Sequence, residues 1–172
     1  MASQRPPLDP AAFRAVCAYA SEHVILPDDV IRFAAGPRPR EPFLIDFSRV
    51  SRSFAHGRRY LGILSELYRG NTAKFEEVAP TIRGRIRTYF GRTREEIEST
   101  GSSNEAAPIP ETPWFATVNN SDAKRSDIVQ TLMTHMGGFS YEYIRMVSRF
   151  CVRSVTELPS AYARALSKST NA

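Results

Sequence analysis

The stretch that decides the fold is Glu111-Thr-Pro-Trp-Phe-Ala-Thr-Val-Asn-Asn-Ser-Asp-Ala-Lys-Arg-Ser-Asp-Ile128. Its aromatic and β-branched start predicts a strand over Trp114–Val118. The Asn-Asn-Ser segment that follows is typical of a turn and a helix N-cap, so we expect Ser121 or Asn120 to begin a helix. The inner face of that helix is predicted to carry Ile128, Val129, Leu132 and Met136.

Helical spacing of apolar residues predicts four further helices around this stretch. They are placed at Ser53–Arg69, at Thr72–Ala79, from Thr93 to a point before Gly101, and at Ser140–Val152. The Thr93-Arg-Glu-Glu96 sequence matches a capping box. The first of these helices has a predicted apolar face of Tyr60, Leu61, Leu64, Leu67 and Tyr68, with Arg58 and Arg59 mostly off it. The last one is predicted to turn Tyr141, Ile144, Val147 and Cys151 inwards.

The segment Arg85–Phe90 alternates between apolar and polar residues, which predicts a half-buried strand. Its predicted inner face is Ile86, Thr88 and Phe90, so we expect Ile86 to be buried. Gly101–Pro110 is expected to be a polar loop. The predicted fold class is therefore α+β: a mostly helical domain with a very small β-sheet, preceded by a helical appendage.

Composition shifts along the chain predict four parts. Residues 1–35 are interpreted as an N-terminal helical segment that either dimerises or packs on the main domain, and residues 36–42 as a Pro-rich linker. The main domain is expected at residues 43–153. Residues 154–172 are expected to form a C-terminal tail with a short helix.

Positive charge is concentrated in one region of the chain. The 172 residues carry a net charge of +5, yet residues 49–94 alone hold eleven Arg and Lys against three Glu. Such a local field attracts polyanions. A solvated basic face is the plain alternative, but most of these cations are arginines, which make fork-shaped contacts to phosphate and guanine.

Several chemical classes are disfavoured by what the sequence contains. Cys17 and Cys151 lie on apolar helix faces and are interpreted as buried structural thiols in a reduced, cytoplasmic chain. The three histidines, His23, His56 and His135, are scattered, so we expect neither a metal nor a cofactor. No apolar run is long enough to cross a membrane. The sequence thus offers no candidate catalytic residues.

Four segments of this chain together resemble the C-terminal DNA-binding domain of the SeqA family. They are Arg59-Tyr-Leu-Gly-Ile-Leu-Ser-Glu-Leu-Tyr68, Gly84-Arg-Ile-Arg-Thr-Tyr-Phe90, Ile109-Pro-Glu-Thr-Pro-Trp-Phe115 and Val118-Asn-Asn-Ser-Asp-Ala-Lys-Arg125. Their order and spacing carry the resemblance, which covers about Arg58 to Val152. It implies a SeqA-like helical domain that binds double-stranded DNA, recognises GATC sites with a preference for the hemimethylated form, and negatively regulates replication initiation. It also implies a nucleoid-associated protein that forms homo-oligomers, and one that is not an enzyme.

The resemblance implies a DNA-binding site drawn from two segments. Its residues are Arg85, Ile86, Arg87, Asn119, Asn120, Ser121, Lys124 and Arg125. Ile86 stands where the family motif has threonine, and Ser121 where it has a second asparagine. Lys124, Arg125 and the backbone N–H groups near Ser121 are expected to bind phosphate.

This surface can exist only if Arg87 and Asn119 lie on the same side of the molecule. The residues also allow simpler interpretations: the Asn-Asn-Ser segment as only a turn and cap, and the arginines as only exposed strand residues. The alternative functions are a protein-interaction module on the SeqA fold with degenerate base readout and, third, a small hydrolase whose residues are not identified.

Overall fold

The computed structural model describes residues 41–43, 45, 46, 49, 50 and 55–151. The predicted N-terminal helical segment, nearly all of the linker and the C-terminal tail lie outside the described residues. Five α-helices and three short strands form the described part of the chain. The helices are α1 (Arg58–Gly70), α2 (Thr72–Val78), α3 (Arg94–Glu98), α4 (Asp122–Met136) and α5 (Tyr141–Phe150), with 3-10 turns at Ala55–Gly57 and Ala79–Thr81. The strands are β1 (Phe90–Gly91), β2 (Ala106–Pro108) and β3 (Phe115–Thr117).

Helix α1 begins later than predicted, at Arg58 and not Ser53. Gly57, directly before it, has a φ of 69°, a left-handed conformation that glycine adopts without steric cost.

The predicted apolar face of α1 is largely correct, because Tyr60, Leu61, Leu64 and Leu67 are buried. The prediction for Arg59 is wrong: this arginine is buried, and its guanidinium lies 4.3 Å from the centre of the Phe150 ring in α5.

The helix boundaries follow their caps. Asn71 ends α1 and begins α2, because its side chain accepts a hydrogen bond from the Lys74 backbone N–H at 3.1 Å. The predicted cap at Thr93 is confirmed, since its hydroxyl accepts from the Glu96 N–H at 3.3 Å. Helix α4 ends at Met136, where the following Gly137 has a φ of 83° and its N–H donates to the Met133 carbonyl.

The sheet has the order β1–β3–β2, and both pairs are antiparallel. The predicted strand at Trp114–Val118 is confirmed as its central member, β3. The prediction of a loop throughout Gly101–Pro110 is wrong, because Ala106–Pro108 pairs with β3. Its two alanines and proline have little intrinsic preference for a strand, so only the long-range pairing reveals it.

An aromatic cluster joins the helices to the sheet. The ring of Phe75 in α2 makes edge-to-face contacts with Tyr68, Phe90 and Trp114, with centroid distances of 5.5–6.2 Å. The prediction of inward-facing residues holds for Ile144 and Val147 in α5 and for Cys151 directly after it, but it is wrong for Tyr141, which is 63% exposed. Tyr143 takes its place in the core, where its hydroxyl accepts a hydrogen bond from the Ile45 N–H at 2.7 Å.

The structure confirms the predicted fold class, a mostly helical α+β domain with a very small sheet. Among residues 41–151 that are described, no helix is long and apolar enough to cross a bilayer. In the same residues, no three His, Cys, Asp or Glu side chains are grouped so as to hold a metal ion.

Candidate nucleic-acid interface

Residues 83–88, which we call the arginine turn, form a tight reversal and not the predicted strand. Arg83 and Thr88 make an isolated antiparallel bridge, and the Gly84 N–H donates to the Arg87 carbonyl at 2.9 Å. A Cβ atom on Gly84 would come within 2.6 Å of the Tyr89 hydroxyl, so the turn closes tightly on this ring. Regular strand structure begins only at Phe90.

The turn places Ile86 on the surface. Its side chain is 78% exposed, so the prediction of a buried Ile86 is wrong. The alternation that suggested a strand belongs to a reversal, whose closing hydrogen bond leaves residues 85 and 86 at its outer tip. Arg85 is also exposed and Arg87 half-buried, so the exposed apolar residue has an arginine on each side of it in the sequence of the turn.

The basic charge of residues 49–94 is partly neutralised within the chain. Ion pairs with glutamate engage Arg49, Arg69, Lys74, Arg92 and Arg94. Among the described residues, no carboxylate lies within ion-pair distance of Arg83, Arg85 or Arg87. Three arginines without a carboxylate partner among the described residues therefore lie together in the arginine turn.

The N-terminus of α4 lies beside this turn. Ser121 caps the helix, because its hydroxyl accepts from the Lys124 N–H at 3.2 Å, as predicted. The Lys124 ammonium is 6.0 Å from the centre of the Tyr89 ring and 3.3 Å from the Asp127 carboxylate. A cavity of about 190 Å³ separates the turn from α4 and is lined by Arg83, Gly84, Tyr89 and Lys124 among others.

Asn119 is exposed, and its amide bridges to the loop formed by residues 101–105. Its Nδ2 donates to the Ser103 carbonyl, and its Oδ1 accepts from the Glu105 N–H at 3.2 Å. The Nη2 of Arg87 donates to the Ser103 hydroxyl at 3.3 Å. Arg87 and Asn119 therefore lie on the same side of the molecule, as the predicted surface requires.

Two predicted site residues make mainly internal contacts. Asn120 is buried, and its Nδ2 donates to the hydroxyl and carbonyl oxygens of Thr117. Arg125 donates to the Val118 carbonyl, lies 3.4 Å from the Asp122 carboxylate, and has a side chain that is only 15% exposed. Both side chains thus stabilise the turn that carries Asn119, and the structure does not present either of them as an open contact surface.

The sequence did not indicate that the 101–105 loop belongs to the candidate site. Its Ser and Asn residues predicted a polar loop, but no local pattern marks Ser103 as the contact of both Arg87 and Asn119. Only the three-dimensional arrangement brings these three residues together.

Known proteins with similar sequences or structures point to one family. The family model described as the SeqA protein C-terminal domain matches residues 44–149. A negative modulator of initiation of replication from Photobacterium profundum is 42% identical over 79 residues, which cover 45% of this chain and 43% of the relative. One of the same name from Tolumonas auensis is 31% identical over 94 residues, or 55% of each chain.

A solved structure gives the same result for the fold. The crystal structure of V. cholerae SeqA covers 72% of this chain and 97% of its own, with a TM-score of 0.50 and 24% identity. The chain spans about half the length of the curated relatives it matches.

Proposed function

The chain belongs to the SeqA C-terminal domain family, and on this premise we propose that it is a double-stranded DNA-binding regulator. The proposal is that it recognises GATC sites, prefers their hemimethylated form, sequesters such DNA and negatively regulates initiation of replication. Relatives that carry the name negative modulator of initiation of replication support the regulatory part. The observation that carries the DNA-binding part is the arginine turn, with its uncompensated guanidinium groups beside Asn119.

The charge at the turn suits a duplex. Guanidinium groups bind phosphate oxygens and can also bind O6 and N7 of guanine in a bidentate manner. Arg85 is exposed at the tip of the turn, and Arg87 is oriented by Ser103. Arg85 is thus available to bind a phosphate, while Arg87 has the restricted geometry that base contacts require.

Asn119 retains the capacity to bind an adenine. A side-chain amide has two N–H donors and two carbonyl lone pairs. The contacts with Ser103 and Glu105 use one of each, which leaves one donor and one acceptor. Adenine presents N7 and its N6 amine in the major groove, and this pair matches the remaining capacity.

Ile86 suits the methyl mark. Methylation of adenine N6 removes one donor hydrogen and adds an apolar group to the major groove, so a reader gains from an apolar contact. The exposed Ile86 supplies such a group between Arg85 and Arg87. The exposure of Ile86 supports a role in recognising the methyl group, at the position where the family motif has threonine.

One titration tests the proposal. Unmethylated, hemimethylated and fully methylated GATC duplexes, with a scrambled duplex of equal length, are titrated at two salt concentrations. The tightest binding is expected for the hemimethylated duplex, and all affinities should fall with salt, because phosphate contacts release counterions. Equal affinity for all four duplexes would disprove GATC recognition, and an absence of binding at low salt would disprove DNA binding.

A second candidate function is a protein-interaction module on the same fold. The observation that favours it is that Asn120 and Arg125, two of the residues expected to contact DNA, bind the chain itself. In that case the exposed Ile86 and Tyr141 would contact a protein. The same titration separates the two functions, because this candidate predicts no duplex binding even at low salt.

A further inference from the structure

The 101–105 loop connects the two segments of the candidate interface. Its Ser103 accepts one hydrogen bond from the Arg87 guanidinium through its hydroxyl, and a second from the Asn119 amide through its backbone carbonyl. Glu105 adds a backbone N–H to the Asn119 carbonyl oxygen at 3.2 Å. The loop thus holds, at one residue, the two side chains to which base recognition is assigned.

The loop itself is firmly attached to the domain. Asn104 is buried, and its Nδ2 donates to the Ile97 carbonyl at 3.2 Å and to the Thr100 hydroxyl at 2.9 Å. The same Thr100 hydroxyl accepts from the Thr88 N–H at 3.1 Å, which joins the loop to the arginine turn. A support fixed in this way can orient Arg87, whereas a mobile loop could not.

We infer that Ser103 is a positioning residue for base recognition, because it fixes the Arg87 guanidinium relative to the Asn119 amide. This inference rests on the proposed function. Bidentate contact with a base edge requires a particular orientation of the guanidinium plane, whereas attraction to phosphate does not. Loss of the Ser103 hydroxyl leaves the charge of Arg87 unchanged and removes its anchor. Sequence discrimination should therefore fall while general affinity for DNA persists.

Three variants of the full chain test this role. Ser103→Ala removes the hydroxyl but keeps the backbone carbonyl that binds Asn119, and Ser103→Thr restores a hydroxyl. Ser102→Ala is the matched control, because the neighbouring Ser102 is exposed and makes no contact of this kind among the described residues. For each variant, the affinity ratio between the hemimethylated GATC and scrambled duplexes is measured, together with the salt dependence and the thermal unfolding midpoint.

Ser103→Ala is expected to lower the affinity ratio about three- to ten-fold, the effect of one net hydrogen bond. Its affinity for the scrambled duplex, its salt dependence and its unfolding midpoint should match those of the wild type. Ser103→Thr should recover the ratio, and Ser102→Ala should leave it unchanged. A purely structural role would instead lower the unfolding midpoint and weaken all duplexes together.

The outcomes separate this inference from the proposed function. A wild-type chain that shows no preference among the duplexes would overturn the proposed function and with it the role of Ser103. A wild-type preference that persists in Ser103→Ala would overturn the role of Ser103 alone. A ratio that falls equally in Ser102→Ala would also overturn it, because the effect would then belong to the loop in general.

Discussion

Arg87 and Asn119, which belong to different segments of the chain, are both hydrogen-bonded to Ser103. This shared contact brings a guanidinium and a carboxamide to the same side of the domain. Around them, the contacts divide the candidate site into exposed groups that can face a duplex and internal groups that hold the surface in shape. Substitutions in the two sets of groups should therefore have different effects.

Asn119→Ala and Lys124→Ala should affect DNA binding in different ways. Loss of the Asn119 amide is expected to remove the preference among duplexes, because this amide is the proposed base contact. Loss of the Lys124 ammonium should weaken all duplexes by a similar factor, because a phosphate contact carries no sequence information. Titration of the four duplexes measures both effects. The opposite pattern would reverse the two assignments.

Arg85→Ala should reduce the salt dependence of DNA binding. Arg85 has no carboxylate partner among the described residues, so its charge is available to a phosphate. The slope of log affinity against log salt concentration is expected to fall by about 1. Lys74→Ala is the control, since Lys74 is paired with Glu77 in α2. An equal change of slope in both variants would show that only net charge matters.

Ile86→Thr should leave the stability of the fold unchanged. The side chain is 78% exposed, so the free energy of unfolding is expected to change by no more than about 0.5 kcal/mol. Ile82→Thr is the matched control in the same segment: Ile82 is buried, and its replacement should cost about 2 kcal/mol. Chemical denaturation measures both values. Equal losses in the two variants would mean that Ile86 is packed in the core.

Arg125→Ala should destabilise the fold. Its guanidinium binds the Val118 carbonyl, and a Cβ atom on Gly57 would lie 3.4 Å from it. We expect a loss of about 1–3 kcal/mol, because the variant leaves a buried carbonyl without its charged donor. The neighbouring Lys124→Ala, whose side chain is 44% exposed, should change stability by less than about 0.5 kcal/mol. An Arg125→Ala protein of normal stability that binds duplexes weakly would assign Arg125 to phosphate instead.

Cys151 should be unreactive in the folded chain. Burial raises the pKa of its thiol from 9.0 to about 12, so the thiolate that attacks alkylating reagents is scarce. In a Cys17→Ser variant, labelling by iodoacetamide at pH 9 should be slow, and it should become fast in denaturant. Because the unfolded thiol ionises near pH 9 and the folded one near pH 12, this group lowers stability as the pH rises through that range. Rapid labelling of the native protein would show that Cys151 is accessible.

Local patterns predicted most of the helices and one strand, because their signals lie within a few residues. The caps at Thr93 and Ser121 follow from side chains that bond to the N–H three residues ahead. The alternation in Arg85–Phe90 predicted a strand where the chain forms the arginine turn, since six alternating residues can reverse direction as readily as they can extend. The strand Ala106–Pro108 was missed because it depends on pairing with β3, which is distant in sequence.

The candidate site shows the same limit. Sequence motifs indicated Arg85, Arg87 and Asn119, but they gave no sign that Arg125 packs against Gly57 or that Ser103 joins two motifs. Contacts of this kind are set by how distant segments meet after folding. The burial of Arg59 against Phe150 is a further case, since a charged residue normally predicts an exposed position.

The backbone contacts of Asn119 adjoin the sheet, where Ala106 pairs with Thr117 and the Val118 N–H binds the Glu105 carbonyl at 2.9 Å. An insertion or deletion between Gly101 and Ala106 that shifted this register by one residue would exchange the two faces of strand β2. The length of this connection is therefore constrained, in addition to the Ser103 and Asn104 side chains that it carries. A surface loop that ordinarily tolerates changes in length is therefore constrained here as tightly as a strand.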